Sequence, residues 1–273
     1  MRQAIFTSGE PLTDEQIFRV SPSVFAETPH ESRSERYSFI PTISVVNGLR
    51  KEGFFPFSVA QSISRIEGKT PFTKHLLKFR QAKDMAAVGT EINEIVLVNS
   101  HDGTSSYRMM AGIFRIACLN GLIRGDIASD INVRHNGNNP VNDVIEAAYS
   151  ITEEFPVINE KIETMKQIEL TCPEQEAFAE AALSLKYDEG KAPVNEKKIL
   201  QTNRYEDNKN DLWTKFNTVQ ENLIKGGQRA YTADYKRVTT RPVNSIDGNV
   251  RLNKALWILA EKMIELKNSS MAA

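Results

Sequence analysis

Cysteine is scarce in this chain of 273 residues: there are two, Cys118 and Cys172. That count excludes a disulfide framework and predicts a reducing compartment. No apolar run approaches the ~18 residues of a membrane span, and the mean hydropathy is -0.39. The opening MRQAIFTSGE carries one Arg and then polar residues, unlike a secretory leader. These features predict a cytoplasmic protein with no membrane partner. Phosphate-cradling glycine loops (a P-loop or GxGxxG), a GxSxG nucleophile elbow and metal-ligand spacings are also missing. No cofactor, no metal and no catalytic residue is therefore expected. Internal repeats and low-complexity tracts are absent as well.

What is present suits a soluble globular protein, with 40% hydrophobic and 25% charged residues. The length allows one large domain or two small ones, and a core large enough to need no covalent staple. Net charge is -1, from 34 Lys+Arg against 35 Asp+Glu. As a sum this argues against a nucleic-acid partner, but the charges are not evenly spread. Residues 31–90 hold ten Lys/Arg against five acids, a net of +5. Residues 143–200 hold six Lys against thirteen acids, a net of -7, and residues 225–254 hold seven Lys/Arg against two Asp, again +5. Basic blocks can neutralise phosphate while an acidic block faces elsewhere; such blocks also arise as ordinary solvated surface.

The pattern predicts an α+β fold: an N-terminal β-meander with a short helix, followed by a helical C-terminal half. Residues 1–36 read as a polar N-terminal arm with one short helix near residues 13–18, where Thr13 and Gln16 have capping-box spacing. Residues 37–141 read as a mixed α/β core. Tyr37, Phe39 and Ile40 suggest a strand ending at Pro41, and residues 42–53 a helix with Gly53 at its C′ position. Residues 54–66 suggest a strand with Phe57, Val59, Gln61, Ile63 and Arg65 on one face. Leu76, Leu77, Phe79 and Arg80 suggest another, and residues 94–99 (EIVLVN) form the clearest strand.

Residues 142–273 read as helical. Val144, Ala148, Ile151 and Phe155 form a stripe that Pro156 interrupts, and Ile158, Ile162, Met165 and Ile168 resume it. Thr171, Pro173 and Glu174 mark a helix start for residues 174–186. Leu212, Phe216, Val219 and Leu223 precede a Gly226-Gly227 stop. Leu252, Leu256, Leu259, Met263 and Leu266 make a final stripe better suited to core packing than to a coiled coil. Between the last two lies a basic loop, residues 226–249 (GGQRAYTADYKRVTTRPVNSIDGN), long and without clear periodicity. Arg229, Lys236, Arg237 and Arg241 alternate there with Tyr231, Tyr235, Thr239 and Thr240. Cations and hydroxyls suit phosphate oxygens and Tyr rings suit bases, so the loop reads as a binding loop or as a flexible, solubilising one.

The His101-Asp102 doublet suits a divalent ion, but Asp102-Gly103 is also a turn pair following a strand, and no ligand partner is spaced to accompany it. A nuclease centred on His101, Asp102 and Asp126 rests on that doublet alone. Cys118 lies in IFRIACLNGLI and reads as a buried thiol.

The stretches HESRSERYSFIPT (30–42), NSHDGTSSYRMMAGIFRIACLNGLIRG (99–125) and KRVTTRPVNSIDGNVRLNKALWILAEKM (236–263) resemble the phage/plasmid-like protein family. More narrowly, they resemble its YafZ/YfjQ/YubP-type uncharacterised members in prophages and plasmids. That resemblance implies a mobile-element protein and brings no reaction with it. A fold-level similarity adds more: a short helix, an aromatic strand, a β-meander and a helix are similar to the core of Rad52-type single-strand annealing proteins. It implies a basic groove on a sheet holding a phosphate backbone, commonly in a ring, hence a homo-oligomer. Arg50, Lys51, Arg65, Lys74, Lys78 and Arg80 would be its cations, and Phe54, Phe55 and Phe57 core or stacking residues. The expectation is a protein that binds, and by extension anneals, single-stranded DNA. The alternative is an anti-defence or regulatory protein that binds a host protein.

Overall fold

The computed structural model describes residues 3–33, 39–82, 91–115, 120–123, 131–133, 140–231 and 236–271. The fold is α+β and divides into two compact units. One comprises Met1–Phe155 with Asn244–Ile246, the other Pro156–Val243 with Asp247–Ala273.

The first unit is built on a seven-stranded antiparallel sheet. Its strands are β1 (Gln3–Thr7), β2 (Phe54–Ser62), β3 (His75–Gln81), β4 (Glu91–Asn99), β5 (Tyr107–Arg115), β6 (Asn120–Ile123) and β7 (Ile131–Val133). They pair in the order β1-β2-β3-β4-β5-β6, with β7 also on β5. Residues 3–7, expected in a loose arm, instead form an edge strand, with Ile5 opposite Ala60. Helix α1 (Asp14–Val20) follows it and has both hydrogen bonds of the capping box formed by Thr13 and Gln16. Phe39 and Ile40 lie outside any strand, and Tyr37 lies outside the described residues. Helix α2 (Thr42–Lys51) ends where expected, with Gly53 at φ 81°. Strand β2 shifts register between Pro56 and Ser58 and stops at Ser62, so Ile63 and Arg65 belong to the following turn.

Strands β2 to β5 are buried along almost their whole length on both faces. Continuous apolar runs such as EIVLVN suit that environment better than alternating ones. On one face Val59, Leu77, Leu97 and Met109 lie in register across four strands. On the other, Arg80 (4% exposed) meets Glu94 (0% exposed) at 2.9 Å, and Lys78 Nζ lies 3.6 Å from the same carboxylate. The Arg80 guanidinium lies over the Phe57 and Phe114 rings, 4.4 and 4.1 Å from their centroids. The flat cation covers the rings while its charge is matched by Glu94.

The second unit is helical. Helix α3 (Pro140–Gln167), which begins in the first unit, passes through Pro156 without a break, so the proline removes one backbone donor but does not end the helix. The unit division falls at that residue. Helix α4 (Cys172–Ser184) starts on the Thr171–Glu174 capping box with Pro173 in its first turn. A short turn, α5 (Glu196–Ile199), leads to α6 (Leu212–Lys225), whose residues are buried on every side as far as Leu223. Asp211 caps α6 by accepting from Thr214 N at 2.8 Å. The final helix, α7 (Ile246–Met271), sets Trp257 edge-on to Phe216 and ties Asn253 to Gln220 at 2.6 Å. Lys161 pairs with Glu261, and Lys267 with Glu174. The α7 stripe buries Leu252 and Leu256, but its last member, Leu266, faces solvent.

Removing one partner of a buried ion pair leaves an uncompensated charge, which costs far more than the pair itself contributes. We expect Glu94→Gln to reduce the unfolding free energy by ~3–5 kcal/mol in urea titration. The double variant Arg80→Met/Glu94→Leu should be less destabilised than Glu94→Gln alone; equal or greater loss would contradict this account.

Candidate nucleic-acid interface

The long basic segment is not a structureless loop. After α6, Gly226 (φ 62°) and Gly227 (φ 83°) reverse the chain. A Cβ on Gly226 would meet Thr240 O and Arg241 C at 2.7 Å, so glycine is required by the returning strand as well as by the turn. Gly227 N donates to Thr240 O and Thr240 N to Gln228 O, both at 2.9 Å, while Val243 N donates to Ile224 O at 2.8 Å. Above this stem β8 (Arg229–Tyr231) and β9 (Arg237–Thr239) pair as an antiparallel ribbon.

Register sets what the ribbon displays. Arg229 lies opposite Thr239 and Tyr231 opposite Arg237, so these four share one face; Ala230 and Val238 share the other. The four are exposed, Tyr231 at 55%, while Ala230 is buried. Two guanidinium groups, a hydroxyl and a phenol ring thus share one face of the ribbon, and the six residues of its two strands line a cavity of about 570 Å³. Lys236 and Arg241 are exposed at the ribbon's flanks. The period-2 pattern is only three residues long in each strand, too short to stand out in the sequence, and Tyr235 lies outside the described residues.

Lys186, beyond the end of α4, locks the stem. Its ammonium donates to Leu223 O at the end of α6 and to Arg241 O at 2.8 Å, spanning both sides of the ribbon base. Burial lowers its pKa to about 8. Between that value and 10.5 the unfolded chain binds more protons, so this group's contribution to stability rises with pH there.

The other cations expected at the interface are scattered. Arg50 is occupied by Asp14 (2.6 Å) and Leu12 O (3.0 Å), clamping α1 to α2. Lys51 is exposed at the end of α2, Arg65 is exposed in the β2–β3 turn, and Lys74 is half-buried. Arg80, buried, and Lys78, half-buried, are both turned onto Glu94. Phe54 and Phe57 are core residues, and Phe55 is half-buried. Strands β2 to β5, which carry Lys78 and Arg80, are buried over most of their length.

The His101-Asp102 doublet does lie in the β4–β5 turn, where Gly103 has φ 77° and Asp102 accepts from Thr104 N and Oγ1. Among the described residues no group of three or more His, Cys, Asp or Glu could hold a metal ion; Asp126 and Cys118 lie outside them. What the doublet concealed is a buried histidine pair. His75 and His101 rings lie 5.3 Å apart and their Nε2 atoms face Thr42 Oγ1, at 2.9 and 3.2 Å. Asn99 Nδ2 donates to that oxygen, and Tyr107 donates its proton to Ile40 O. His75 Nδ1 faces Ser23 Oγ at 2.8 Å and Thr73 O at 3.2 Å; Ser23 gives its own proton to Gln61 Oε1 and Thr73 O only accepts, so the His75 proton sits on Nδ1. Thr42 then donates to His75 Nε2 and accepts from His101 Nε2–H. Burial, with His101 alongside, lowers the His75 pKa to about 3, against the weaker opposing effects of the Thr73 carbonyl and Asp102.

Between pH 6.5 and 3 the unfolded chain takes up a proton that folded His75 refuses. Stability therefore falls on acidification, by up to ~1.4 kcal/mol per pH unit. Thermal melts from pH 7 to 4 should show this slope, and His75→Gln should flatten it; an unchanged slope would contradict the assignment. Lys186→Met should leave two carbonyls without their donor, at a cost of ~1–3 kcal/mol. Faster amide exchange at Gly227, Thr240 and Val243, with α6 amides unchanged, is the expected reading.

Residues 29–257 match the family model described as a domain of unknown function, DUF932. The UPF0380 protein YafZ of Escherichia coli (strain K12) is 47% identical over 254 residues, covering 93% of this chain and 92% of that protein. The UPF0380 protein YfjQ of the same strain is 46% identical over the same coverage. No solved structure matches the chain. With most of its length matched by one family model and by both relatives, the chain belongs to the DUF932 family.

Proposed function

We propose that this chain binds single-stranded nucleic acid, in the service of a prophage or plasmid, through the exposed face of the β8–β9 ribbon. One observation carries the reading: strand register gathers Arg229, Tyr231, Arg237 and Thr239 on a single solvent-facing surface. Guanidinium groups take phosphate oxygens as paired donors, the hydroxyl adds another, and the phenol ring offers a stacking plane that any base can use. Arg241 and Lys236 extend the cationic strip along the backbone. Affinity comes from phosphate neutralisation and counterion release, so it declines steeply with salt. The half-buried Lys78 and the buried Arg80 are held by Glu94, and annealing is not assigned to the sheet. Any pairing of complementary strands would act through strands held on the ribbon with their outer base edges free, in a homo-oligomer that brings two such strands together.

The test is binding of a labelled oligo-dT by the whole protein at low and rising salt. The triple variant Arg229→Ala/Arg237→Ala/Arg241→Ala is expected to bind at least tenfold more weakly, with a slope of log affinity on log salt shallower by ~2, given ~0.7 per phosphate contact. Light scattering with and without oligonucleotide reads the assembly. Absence of binding at low salt, or identical binding by the variant, would overturn the proposal; partners from host lysate that survive nuclease treatment would then favour a protein-binding role.

A further inference from the structure

Tyr205 is 91% exposed, the most exposed large apolar side chain among the described residues. The turn that carries it is nevertheless rigidly built. Residues Tyr205–Asp207 form one 3-10 turn, closed by Asp207 N on Arg204 O and Asn208 N on Tyr205 O. Arg204 grips both carboxylate oxygens of Glu221, at 2.6 and 2.8 Å, and Asp207 at 2.7 Å. Just upstream, Asn222 Nδ2 donates to Ile199 O and Gln201 O at 2.7 and 2.9 Å. The connection is thus fastened to the last turns of α6, the helix that leads into the ribbon. An earlier part of the same connection reaches the ribbon itself, where Tyr231 N faces Pro193 O at 3.4 Å.

A ring held in water gains nothing for the fold, because hydrophobic stabilisation requires removal from water. Here a bidentate ion pair and a buried aspartate hold the turn while its ring is left outside. Charge does not explain the display, since Glu206 and Lys209 beside it are both exposed and opposite in sign. The distance suits the ribbon's ligand. From Glu221 to Lys225 four helical residues rise ~6 Å, the six residues on to Tyr231 span at most ~21 Å, and the Arg204–Glu221 side-chain link with the step to Tyr205 adds ~17 Å. The two aromatic positions are therefore at most ~45 Å apart, within a single-strand site of up to about 16 nucleotides.

We propose that Tyr205 is a second base-stacking position, taking an unpaired base of the strand whose phosphates lie on the ribbon. This rests on the ribbon reading above. Stacking tolerates any sequence, so the pair of tyrosines would grip a single strand and reject a duplex whose bases are already stacked.

The experiment is photo-cross-linking of the whole protein to oligo-dT carrying 5-iodouracil at successive positions, followed by peptide mapping. Cross-links are expected at both Tyr205 and Tyr231, several nucleotides apart. Tyr205→Ala should bind oligo-dT about tenfold more weakly, with the salt slope and melting temperature unchanged, and Tyr205→Phe should restore affinity. Cross-linking at Tyr231 alone, with undiminished binding by Tyr205→Ala, would overturn this proposal and leave the ribbon reading standing. A protein that neither binds nor cross-links overturns both.

Discussion

A guanidinium closed between two phenyl rings constrains what the sheet of this protein can do. Arg80 satisfies its charge on Glu94 and its flat faces on Phe57 and Phe114, and Lys78 joins the same carboxylate. Charges in that setting are held by desolvated partners on every side. They cannot be turned outward to a polyanion without leaving Glu94 buried and alone. The basic block of residues 31–90 is divided among clamps such as Arg50–Asp14, the Glu94 network and dispersed surface charge.

The second unit handles its charges differently. Its central helix, α6, is buried on every side as far as Leu223, and its charged contacts sit at its end: Arg204 and Lys225 on Glu221, and the Lys186 ammonium on the Leu223 carbonyl. These fix the place where the chain leaves the helix, and the close packing of Gly226 against Thr240 and Arg241 fixes the direction. A ribbon only three residues long in each strand has little stability of its own. It depends on the stem, where Lys186, Gly226 and the Val243–Ile224 hydrogen bond hold its base.

Local signals in the chain were faithful where the interaction is local. Thr13 with Gln16 and Thr171 with Glu174 form the expected capping boxes, Gly53 ends α2 with positive φ, and the stripe from Val144 to Met165 is buried. Pro156 misled, because one missing N–H costs a long, packed helix less than ending it would. Residues 3–7 looked like part of a polar arm because their partner strand lies more than fifty residues away. His75 and His101 gave no joint signal, since only the pairing of β3 with β4 and the turn that follows bring both to the Thr42 hydroxyl.

Sequence alone determined the α+β class, the order of strands before helices and the clustering of cations near residues 229–241. Each depends on propensity, period or composition, which are properties of neighbouring residues. Tertiary structure decided which cations are available. Arg80 and Arg229 are the same residue type in equally basic surroundings, yet one is paired under cover and the other faces solvent. The difference is the partner across the strand, Glu94 for one and Thr239 for the other in its exposed ribbon, and pairing between strands is set by long-range register rather than by local sequence.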